Sequence, residues 1–496
     1  MEGHKKFREW TPERYLTEGI RPADVLPEDD VVFFLLETIS RLDLSAFYAY
    51  YEAETRGAPP FSVPMMCMLL VYAYSIGVFS SRKIAAACER NLAFIAIVGS
   101  DAPDFRTISE FRRHHLDAFE DLFVKVLRLA AEAKMIKLGN LALDGSKFKA
   151  NASRHKAMSY GYMTKEVERL RAEIQELTRK AQQTDAEEDA ALGSRRGDEL
   201  PEELKRRENR LLVIEGALKR LEAEAAQKAE AEQRRRDETQ AEREATGKKR
   251  GGWPAKPVDS TPEDKAQTNF TDAESKIMKT SNKGFDYCFN AQATVDGEHQ
   301  IIVCPDVTAE ANDKQQAGRM AGKTREMLEA VGIAIPRTLE QGPAEGPQAQ
   351  QPQAQQPVPP SPTPEATTAK TKIPMTMDNG YFSEDAVQAV AAAGFDPHIA
   401  VGRQKHNQPQ SGDVEGPPPE DATVKEKMAH KLRTKSGRAC YAQRKQIVEP
   451  VFGQIKHVRG FRQFLLRGLK KVRAEWHLIC LTHNLLKIWR HQYALT

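Results

Sequence analysis

The spacing of apolar positions predicts an all-helical region over residues 1–135. A continuous apolar run from Pro64 indicates one helix, and Ser81 is a plausible N-cap for the next. Thr107 and Glu110 form a T-x-x-E capping box that is predicted to open a long helix. The apolar stripe of that helix comprises Ile108, Phe111, Phe119, Leu122, Phe123 and Val126. A short helix, a turn and a longer helix predict a helix-turn-helix-like, DNA-binding domain.

Two further stretches, residues 136–160 and 260–496, carry the pattern of one α/β domain. A buried strand is predicted to end at Asp144, and an alternating pair of strands around the turn at Asp296 predicts a β-hairpin. A helix, a strand ending at Asp378, a second helix, another strand and final helices follow. This order is typical of an RNase H-like α/β catalytic domain.

Residues 161–259 are predicted to be an insertion in that domain, folded as an antiparallel coiled-coil hairpin. Its two arms carry apolar residues at heptad spacing: Val167, Leu170, Ile174 and Leu177, then Leu211, Ile214, Leu218, Leu221 and Ala225. Residues 338–371 are rich in Pro and Gln and are predicted to be a disordered linker. Residues 407–422 are predicted to be a flexible loop.

Composition narrows the class of protein. No stretch of the 496 residues approaches the roughly 20 apolar residues that span a bilayer, which excludes a membrane protein. The charged beginning of the chain has no apolar segment of the kind found in secretory signals. Six scattered cysteines without a C-x-x-C spacing indicate reduced thiols, so a cytoplasmic, nucleoid-associated protein is expected.

The net charge of +3 conceals a strongly basic segment. From Val424 to the end, 17 Lys and Arg face 3 Asp and Glu, a net charge of +14. A basic segment of this size indicates a phosphate-bearing partner. One of its three acidic residues, Glu449, lies on a predicted basic helix, and the presence of an acid there needs a reason.

Asp144, Asp378 and Glu449 are the candidate catalytic residues. Three carboxylates that converge from two strand ends and a helix can hold two Mg²⁺ ions roughly 4 Å apart, with Mn²⁺ as a substitute. Such a site cleaves and joins phosphodiesters by in-line displacement. Taken singly, an Asp before Gly at a strand end is more often a turn residue, and Glu449 could be a surface charge. Their combination with the basic segment favours the metal site.

The chain resembles the bacterial insertion-sequence DDE transposases, and specifically the IS-eleven-eighty-two group of the IS-four/IS-five-like superfamily. The resemblance covers nearly the whole chain and depends on these motifs: Phe105-Arg-Thr-Ile-Ser-Glu-Phe-Arg-Arg-His, Leu143-Asp-Gly-Ser-Lys-Phe-Lys-Ala-Asn-Ala-Ser153, Lys265-Ala-Gln-Thr-Asn-Phe-Thr-Asp-Ala-Glu-Ser-Lys-Ile-Met278, the Asn-Ala-Gln-Ala at 290–293, Asp378-Asn-Gly-Tyr-Phe-Ser and Val448-Glu-Pro-Val-Phe-Gly-Gln-Ile-Lys456. It implies that Asp144, Asp378 and Glu449 are the catalytic triad. It also implies binding of terminal inverted repeats, cleavage of the element's ends and strand transfer into target DNA, by dimers on paired ends.

The superfamily signature Tyr-x₂-Arg-x₃-Glu-x₆-Lys is present around Glu449 with one departure. The gap from the arginine to the glutamate is one residue too long, unless Lys445 stands at the arginine position. The predicted DNA contacts in the basic segment are Tyr441, Arg444, Lys445, Lys456, Arg459 and Arg462. Further contacts are predicted at Arg106, Arg112 and Arg113, where a helix was expected to begin, and at Arg403 and Lys405. A solvated surface is an equally good explanation for the last two groups.

Three other functions remain open on sequence grounds. One is a catalytically silent DNA-binding repressor descended from a transposase, and another is a structure-specific nuclease of the same fold. The third is a coiled-coil scaffold, for which the strand-end acids would be a coincidence. The spacing of Trp476, His477, Cys480 and His483 is similar to a metal-binding pattern, but packing is favoured because no second Cys/His pair accompanies it.

Overall fold

The computed structural model describes residues 7–8, 22–52, 58–99, 101–192, 202–245, 247, 257–280, 284–335, 372–402 and 414–493. They divide into two compact units, the first formed by Met1–Phe148 and Phe289–Thr496 and the second by Lys149–Cys288. The second unit is wider than the insertion predicted at 161–259. The predicted linker at 338–371 lies outside the described residues, as do residues 407–413 of the loop predicted at 407–422.

The first unit begins with a short 3₁₀ turn (Pro22–Val25) and seven helices: α1 (Val31–Arg41), α2 (Ser45–Glu52), α3 (Val63–Ser75), α4 (Ser81–Arg90), α5 (Leu92–Val98), α6 (Phe105–His114) and α7 (Leu116–Glu132). Helix α3 is apolar around its whole circumference and is buried along almost all of its length. A helix with no polar face is stable only in the interior, so the other helices pack around it.

The predicted long helix is instead two helices, because the chain breaks at His115 between α6 and α7. The predicted capping box is wrong: Asp104 caps α6 by accepting a hydrogen bond from the Thr107 amide at 2.7 Å. The apolar stripe is nevertheless buried as predicted. Arg112 and Arg113 lie in the last turn of α6 rather than the first. Cations suit a helix C-terminus, so the helix dipole gives no reason to invoke a phosphate there.

A mixed β-sheet forms the centre of the first unit, in the order β6-β5-β1-β7-β8. Its strands are β1 (Leu141–Lys149), β5 (Phe285–Asp296), β6 (Ile302–Thr308), β7 (Ile373–Met377) and β8 (Phe395–Ile399). β5 and β6 form the predicted antiparallel hairpin, and β1, β7 and β8 are mutually parallel. The predicted succession of strands is therefore confirmed. Helices α10 (Gln316–Ala330) and α11 (Glu384–Ala392) connect the strands as predicted.

The chain ends in four helices, α12 (Val424–Arg433), α13 (Lys435–Ala442), α14 (Arg444–Gly453) and α15 (Leu469–Tyr493), with a π-helical turn (Gln454–Val458) after α14. The middle of α15 is buried, and it contacts both the sheet and the N-terminal helices. The indole of Trp476 donates a hydrogen bond to the β5 carbonyl of Gln292 at 3.0 Å. The ring of His477 packs edge-on against Phe123 of α7.

A buried polar chain joins the N-terminal helices to α15. The guanidinium of Arg112 donates to the Tyr74 hydroxyl at 2.6 Å, and that hydroxyl donates to the Glu475 carboxylate at 3.1 Å. The same carboxylate accepts hydrogen bonds from the backbone amides of Leu465 and Leu466. Burial raises the pKa of Glu475, and the nearby Arg112 charge opposes that rise. The helical region and the sheet thus share one core.

The second unit contains two long helices, α8 (Tyr160–Leu192) and α9 (Glu202–Ala245), and the short strands β2 (Ala157–Ser159), β3 (Gln267–Asn269) and β4 (Lys276–Lys279). β2 pairs with β3, and β4 pairs with the first residues of β5. The helices run antiparallel, since Tyr160 bonds to Glu222 while Glu173 bonds to Arg207. Their apolar contact comprises Met163, Val167, Leu170, Ile214, Ala217 and Leu221. A supercoil of this pair remains a prediction.

Among the helices of the described ranges, none combines the length and the apolar character that a bilayer span requires.

Candidate active site

Asp144 and Asp378 lie side by side at one end of the sheet. Strands β1 and β7 are parallel neighbours, and Leu143 is paired with Met377. Asp144 and Asp378 directly follow this residue pair along the two segments, so the register places the two carboxylates beside each other. Each carboxylate accepts a hydrogen bond from a nearby glycine amide at 2.8 Å, Asp144 from Gly145 and Asp378 from Gly380. The predicted end of the first strand at Asp144 is wrong, because β1 continues to Lys149. The two acids are neighbours because the pairing of β1 with β7 ends at Leu143 and Met377, directly before them.

The pKa of Asp144 is raised to about 6, chiefly because the carboxyl group is buried. The negative charge of Asp378 contributes to the rise. Arg444 at the start of α14 opposes it by donating a hydrogen bond to Oδ2 of Asp144 at 3.2 Å. The Arg444 guanidinium thus provides the positive charge that the Asp144 and Asp378 carboxylates attract.

A third carboxylate, Asp313, lies beside this pair and was missed by the sequence analysis. Its Oδ1 accepts a hydrogen bond from the Asn290 side-chain amide at 2.7 Å and another from the Gln292 side-chain amide at 2.9 Å. Gln292 is itself held by a hydrogen bond from the Tyr381 hydroxyl. Burial raises the pKa of Tyr381, and the charges of Asp313, Asp144 and Asp378 all add to the rise. The charges of all three carboxylates therefore act on one buried hydroxyl.

Glycine at position 145 permits the close packing around Asn290 and Gln292. A β-carbon on Gly145 would overlap the side-chain amide nitrogen of Gln292. Because glycine lacks that carbon, β1 approaches the two β5 amides directly after Asp144. The polar residues Asn290 and Gln292, at alternate positions of a predicted strand, were the only sequence signal for this hydrogen-bond network. That signal did not indicate Asp313, the loop residue that accepts from both.

Glu449 is not brought to the pair of aspartates. Its side chain is exposed on α14, and within the described residues it forms no close group of three acidic side chains with Asp144 and Asp378. Arg444 and Glu449 are five positions apart, which turns them about 140° from each other around the helix. The face of α14 that contacts Asp144 is therefore the face of Arg444.

Lys456 lies close to the aspartates along β1. Its ammonium group donates hydrogen bonds to Ser146 Oγ at 2.6 Å and to the Lys147 carbonyl at 2.9 Å, and it lies 4.3 Å from the centre of the Phe148 ring. Tyr441 is half-buried on α13, and burial raises its pKa although the Arg444 charge lowers it. These positions place two predicted DNA contacts next to the candidate site.

The remaining predicted DNA contacts differ in exposure. Arg106, Arg113, Lys445 and Arg462 are exposed. Arg112 and Arg459 are buried, and Arg459 donates to the Ile479 carbonyl and the Thr482 hydroxyl of α15. Their guanidinium groups are bound within the core, so a phosphate contact for these two residues is a wrong prediction. Arg403 and Lys405 lie outside the described residues.

The residues of α15 with a metal-like spacing are buried and have protein partners. His477 bonds to the Arg473 carbonyl at 2.9 Å, and His483 bonds to the Gln300 carbonyl at 3.0 Å. Burial lowers the pKa of both imidazoles, that of His483 to about 3. These histidines are therefore neutral and serve the packing of the helix.

The donor chemistry at the sheet edge fits a hard divalent cation. Asp144, Asp378 and Asp313 offer carboxylate oxygens, which are the ligands that Mg²⁺ and Mn²⁺ prefer. In their present arrangement, no three acidic, His or Cys side chains of the described ranges are close enough to hold an ion together. The Arg444 guanidinium instead neutralises Asp144.

Two parts of the chain match known protein families. Residues 418–489 match the family described as "Transposase DDE domain", and residues 22–114 match the family described as "Transposase domain (DUF772)". Together these matches indicate a transposase of the DDE type. A DDE transposase domain in a mixed α/β chain fits a general RNase H-like fold, and such enzymes act on DNA and generally use divalent metal ions. No curated protein and no solved structure matches the chain.

Proposed function

We propose that this protein is a DNA transposase of an insertion sequence, in the IS-eleven-eighty-two group. It binds the terminal inverted repeats of its element, cleaves the ends and joins them to target DNA. The observation that carries the proposal is the proximity of Asp144 and Asp378, which directly follow the last paired residues of two adjacent parallel strands. That pairing occurs in a chain whose two family matches are both transposase domains.

Asp144 and Asp378 would hold the metal, and Glu449 completes the catalytic triad in this proposal. Two Mg²⁺ ions, when bound, supply Lewis acidity for activating the attacking water or 3′-hydroxyl and for stabilising the leaving oxygen. The Gly145 and Gly380 amides fix the orientation of the two aspartates. Arg444 donates a hydrogen bond to Asp144 and lowers the pKa of that carboxyl group, against the rise that burial causes.

The DNA backbone is proposed to contact three cations that lie near the two aspartates. Lys456 and Arg462 follow α14, and Lys445 lies at its start. Arg106 and Arg113 are proposed to bind the element's ends from the N-terminal helices. By resemblance to the DDE transposases, we also propose that the protein acts as a homodimer on paired DNA ends. The helix pair α8–α9 then contacts the partner or the DNA. Size measurement by light scattering, with and without the end DNA, tests the dimer.

The experiment that tests this function is cleavage of labelled duplexes bearing the ends of the element, in Mg²⁺ and in Mn²⁺. Asp144→Asn and Asp378→Asn are expected to bind the duplex as wild type does but to lose cleavage by at least a thousandfold. Glu449→Gln is expected to behave alike. Asp385→Asn removes an exposed carboxylate of α11 and serves as the matched control, with unchanged cleavage.

The outcomes separate the alternatives. Cleavage by Asp144→Asn or Asp378→Asn at the wild-type rate refutes the proposed site. Specific binding of the ends by a wild-type protein that never cuts them supports a repressor. Cutting of branched DNA regardless of its sequence supports a structure-specific nuclease.

A further inference from the structure

Helices α12 and α13 carry six Lys and Arg between Val424 and Ala442 but a single acid, Glu426. The carboxylate of that acid is engaged in the cap of α12, where it accepts hydrogen bonds from the amide and the hydroxyl of Thr423 at 2.8 Å each. Four of the six cations are exposed, and together they are called the α12–α13 basic surface: Lys425, Lys427, Arg433 and Lys435.

The four cations of this surface have no partner in the protein. Within the described residues, none of their side chains forms a hydrogen bond or an ion pair. The described part of the loop before α12 contains the acids Glu415, Glu420 and Asp421, and these are not paired with the four cations either. Positive charges gathered in this way repel one another, and an anionic partner relieves that repulsion.

Other cations of the same basic segment are bound inside the protein. Lys431 donates to the Asp396 carboxylate and to the Pro397 carbonyl, the latter at 2.9 Å. Arg473 donates to Asp306 at 2.9 Å, and Arg459 is buried against α15. The charges of these residues stabilise the fold. The α12–α13 basic surface is therefore a part of the segment whose charge is left for a partner.

This surface extends toward the two aspartates of the candidate site. Helix α12 lies beside β8 through the bonds of Lys431, and α13 reaches β1, since the Asn140 side chain donates to the Cys440 carbonyl at 3.0 Å. The two helices are closely joined, because a β-carbon on Gly437 would overlap the Lys431 carbonyl oxygen. Helix α14, which follows α13, begins with the arginine that bonds to Asp144.

We infer that the α12–α13 basic surface binds the phosphate backbone of duplex DNA without regard to base sequence, and so holds the duplex against the edge of Asp144 and Asp378. The inference rests on the proposed function. Lys425 and Arg433 are eight helical residues apart, or about 12 Å along α12. Duplex DNA carries one negative charge per about 1.7 Å of its axis, so each cation can meet a separate phosphate. Contacts to phosphates position a duplex but do not read its sequence.

Two double variants of the full chain test this surface: Lys425→Gln/Lys427→Gln and Arg433→Gln/Lys435→Gln. Binding is measured over a range of salt concentrations, on a labelled duplex of arbitrary sequence and on one bearing the ends of the element. Each double variant is expected to lower the slope of log K against log salt by about 1.8, because each lost phosphate contact removes about 0.9. At about 0.1 M salt the affinity is expected to fall at least tenfold, equally for both duplexes.

The matched control is Lys134→Gln/Lys137→Gln, which removes the same charge from two exposed residues that precede β1. Its slope and affinity are expected to equal those of wild type. All three variants should keep the wild-type melting temperature, since the replaced side chains have no partner within the described residues. If Arg433→Gln/Lys435→Gln melts below wild type, the Lys425→Gln/Lys427→Gln titration decides.

Three results would overturn the inference. The first is a wild-type salt slope in both double variants. The second is a loss of affinity for the element's ends alone, because a contact with phosphates affects every duplex alike. The third is weakened binding of single-stranded RNA with unchanged binding of duplex DNA, which would assign the surface to a different partner.

Cleavage of the element's ends distinguishes this inference from the proposed function. The double variants are expected to reach the wild-type maximal rate at saturating DNA but to need more DNA to reach it. Wild-type cleavage together with unchanged binding in both double variants overturns the role of the surface and leaves the proposed function standing. Weakened duplex binding in the double variants of a protein that never cleaves the ends supports the surface and contradicts the proposed function.

Discussion

Replacing Arg112 by methionine tests whether this arginine belongs to the core or to a DNA-binding surface. Arg112 and Arg113 are neighbours in sequence, and both were predicted to contact DNA. In the structure Arg112 is 5 % exposed and bonds to Tyr74, which bonds in turn to Glu475. Arg113 is exposed, with a loose ion pair to Glu110 at 3.7 Å and a contact to His114 Nε2 at 3.4 Å.

The size of the expected destabilisation follows from the buried Glu475 charge that Arg112→Met leaves without its countercharge. Glu475 is 1 % exposed, and the loss of Arg112 removes its nearby countercharge. Breaking a buried charge pair by removing one partner costs about 3–5 kcal/mol. Because Glu475 keeps two backbone amide donors and the Tyr74 hydroxyl, the lower end, about 3 kcal/mol, is expected. Arg113→Met is expected to change the free energy of unfolding by less than about 0.5 kcal/mol.

The assay is urea unfolding at pH 7.5, together with binding of a duplex of arbitrary sequence. Arg112→Met/Glu475→Gln removes both charges, so it is expected to cost clearly less than the sum of the single variants. The cost of Arg112→Met is also expected to shrink at lower pH, where Glu475 takes up a proton. An Arg112→Met protein as stable as Arg113→Met but deficient in DNA binding would refute this reasoning.

Three other predictions concern single positions. His483 has a pKa lowered to about 3 in the fold, against about 6.5 in the unfolded chain, so protons bind the unfolded state first and stability is lost as the pH falls below about 6.5. Between pH 7.5 and 5.5 wild type should therefore lose about 1.4 kcal/mol more than His483→Gln, and parallel urea profiles would contradict this. Gly77→Ala should cost at least about 2 kcal/mol, because φ is +85° and the new β-carbon would lie 2.5 Å from the Arg459 carbonyl. Gly322→Ala in α10 serves as its control: the new β-carbon meets open space, so the free energy of unfolding in urea should be unchanged or higher by up to about 1 kcal/mol. Lys456→Gln should lower the slope of log K against log salt for duplex binding by about 0.9, whereas an unchanged slope would assign Lys456 to structure alone.

The hydrophobic pattern determined the elements of this fold and one part of its site. The strands that lead to Asp144 and Asp378 were predictable because short apolar runs before Asp and Gly are local signals. The same signal placed the end of the first strand wrongly, since β1 continues to Lys149. The order of strands and helices then restricted the topology, since parallel strands need crossover connections. That Asp144 and Asp378 are neighbours depends on the parallel pairing of β1 with β7, which only the structure shows. The break at His115 was missed because the apolar stripe continues across it on the same side.

Only the tertiary structure decided which charged residues lie inside. Arg112, Arg444 and Arg459 are indistinguishable in sequence from exposed arginines, because a buried guanidinium depends on acceptors from distant parts of the chain. Asp144, the acceptor of Arg444, is 300 residues away. The same reason conceals Asp313, whose position is fixed by two β5 amides rather than by its own neighbours. Local periodicity specifies what an element is, whereas the pairing of polar groups is settled only when the elements pack together.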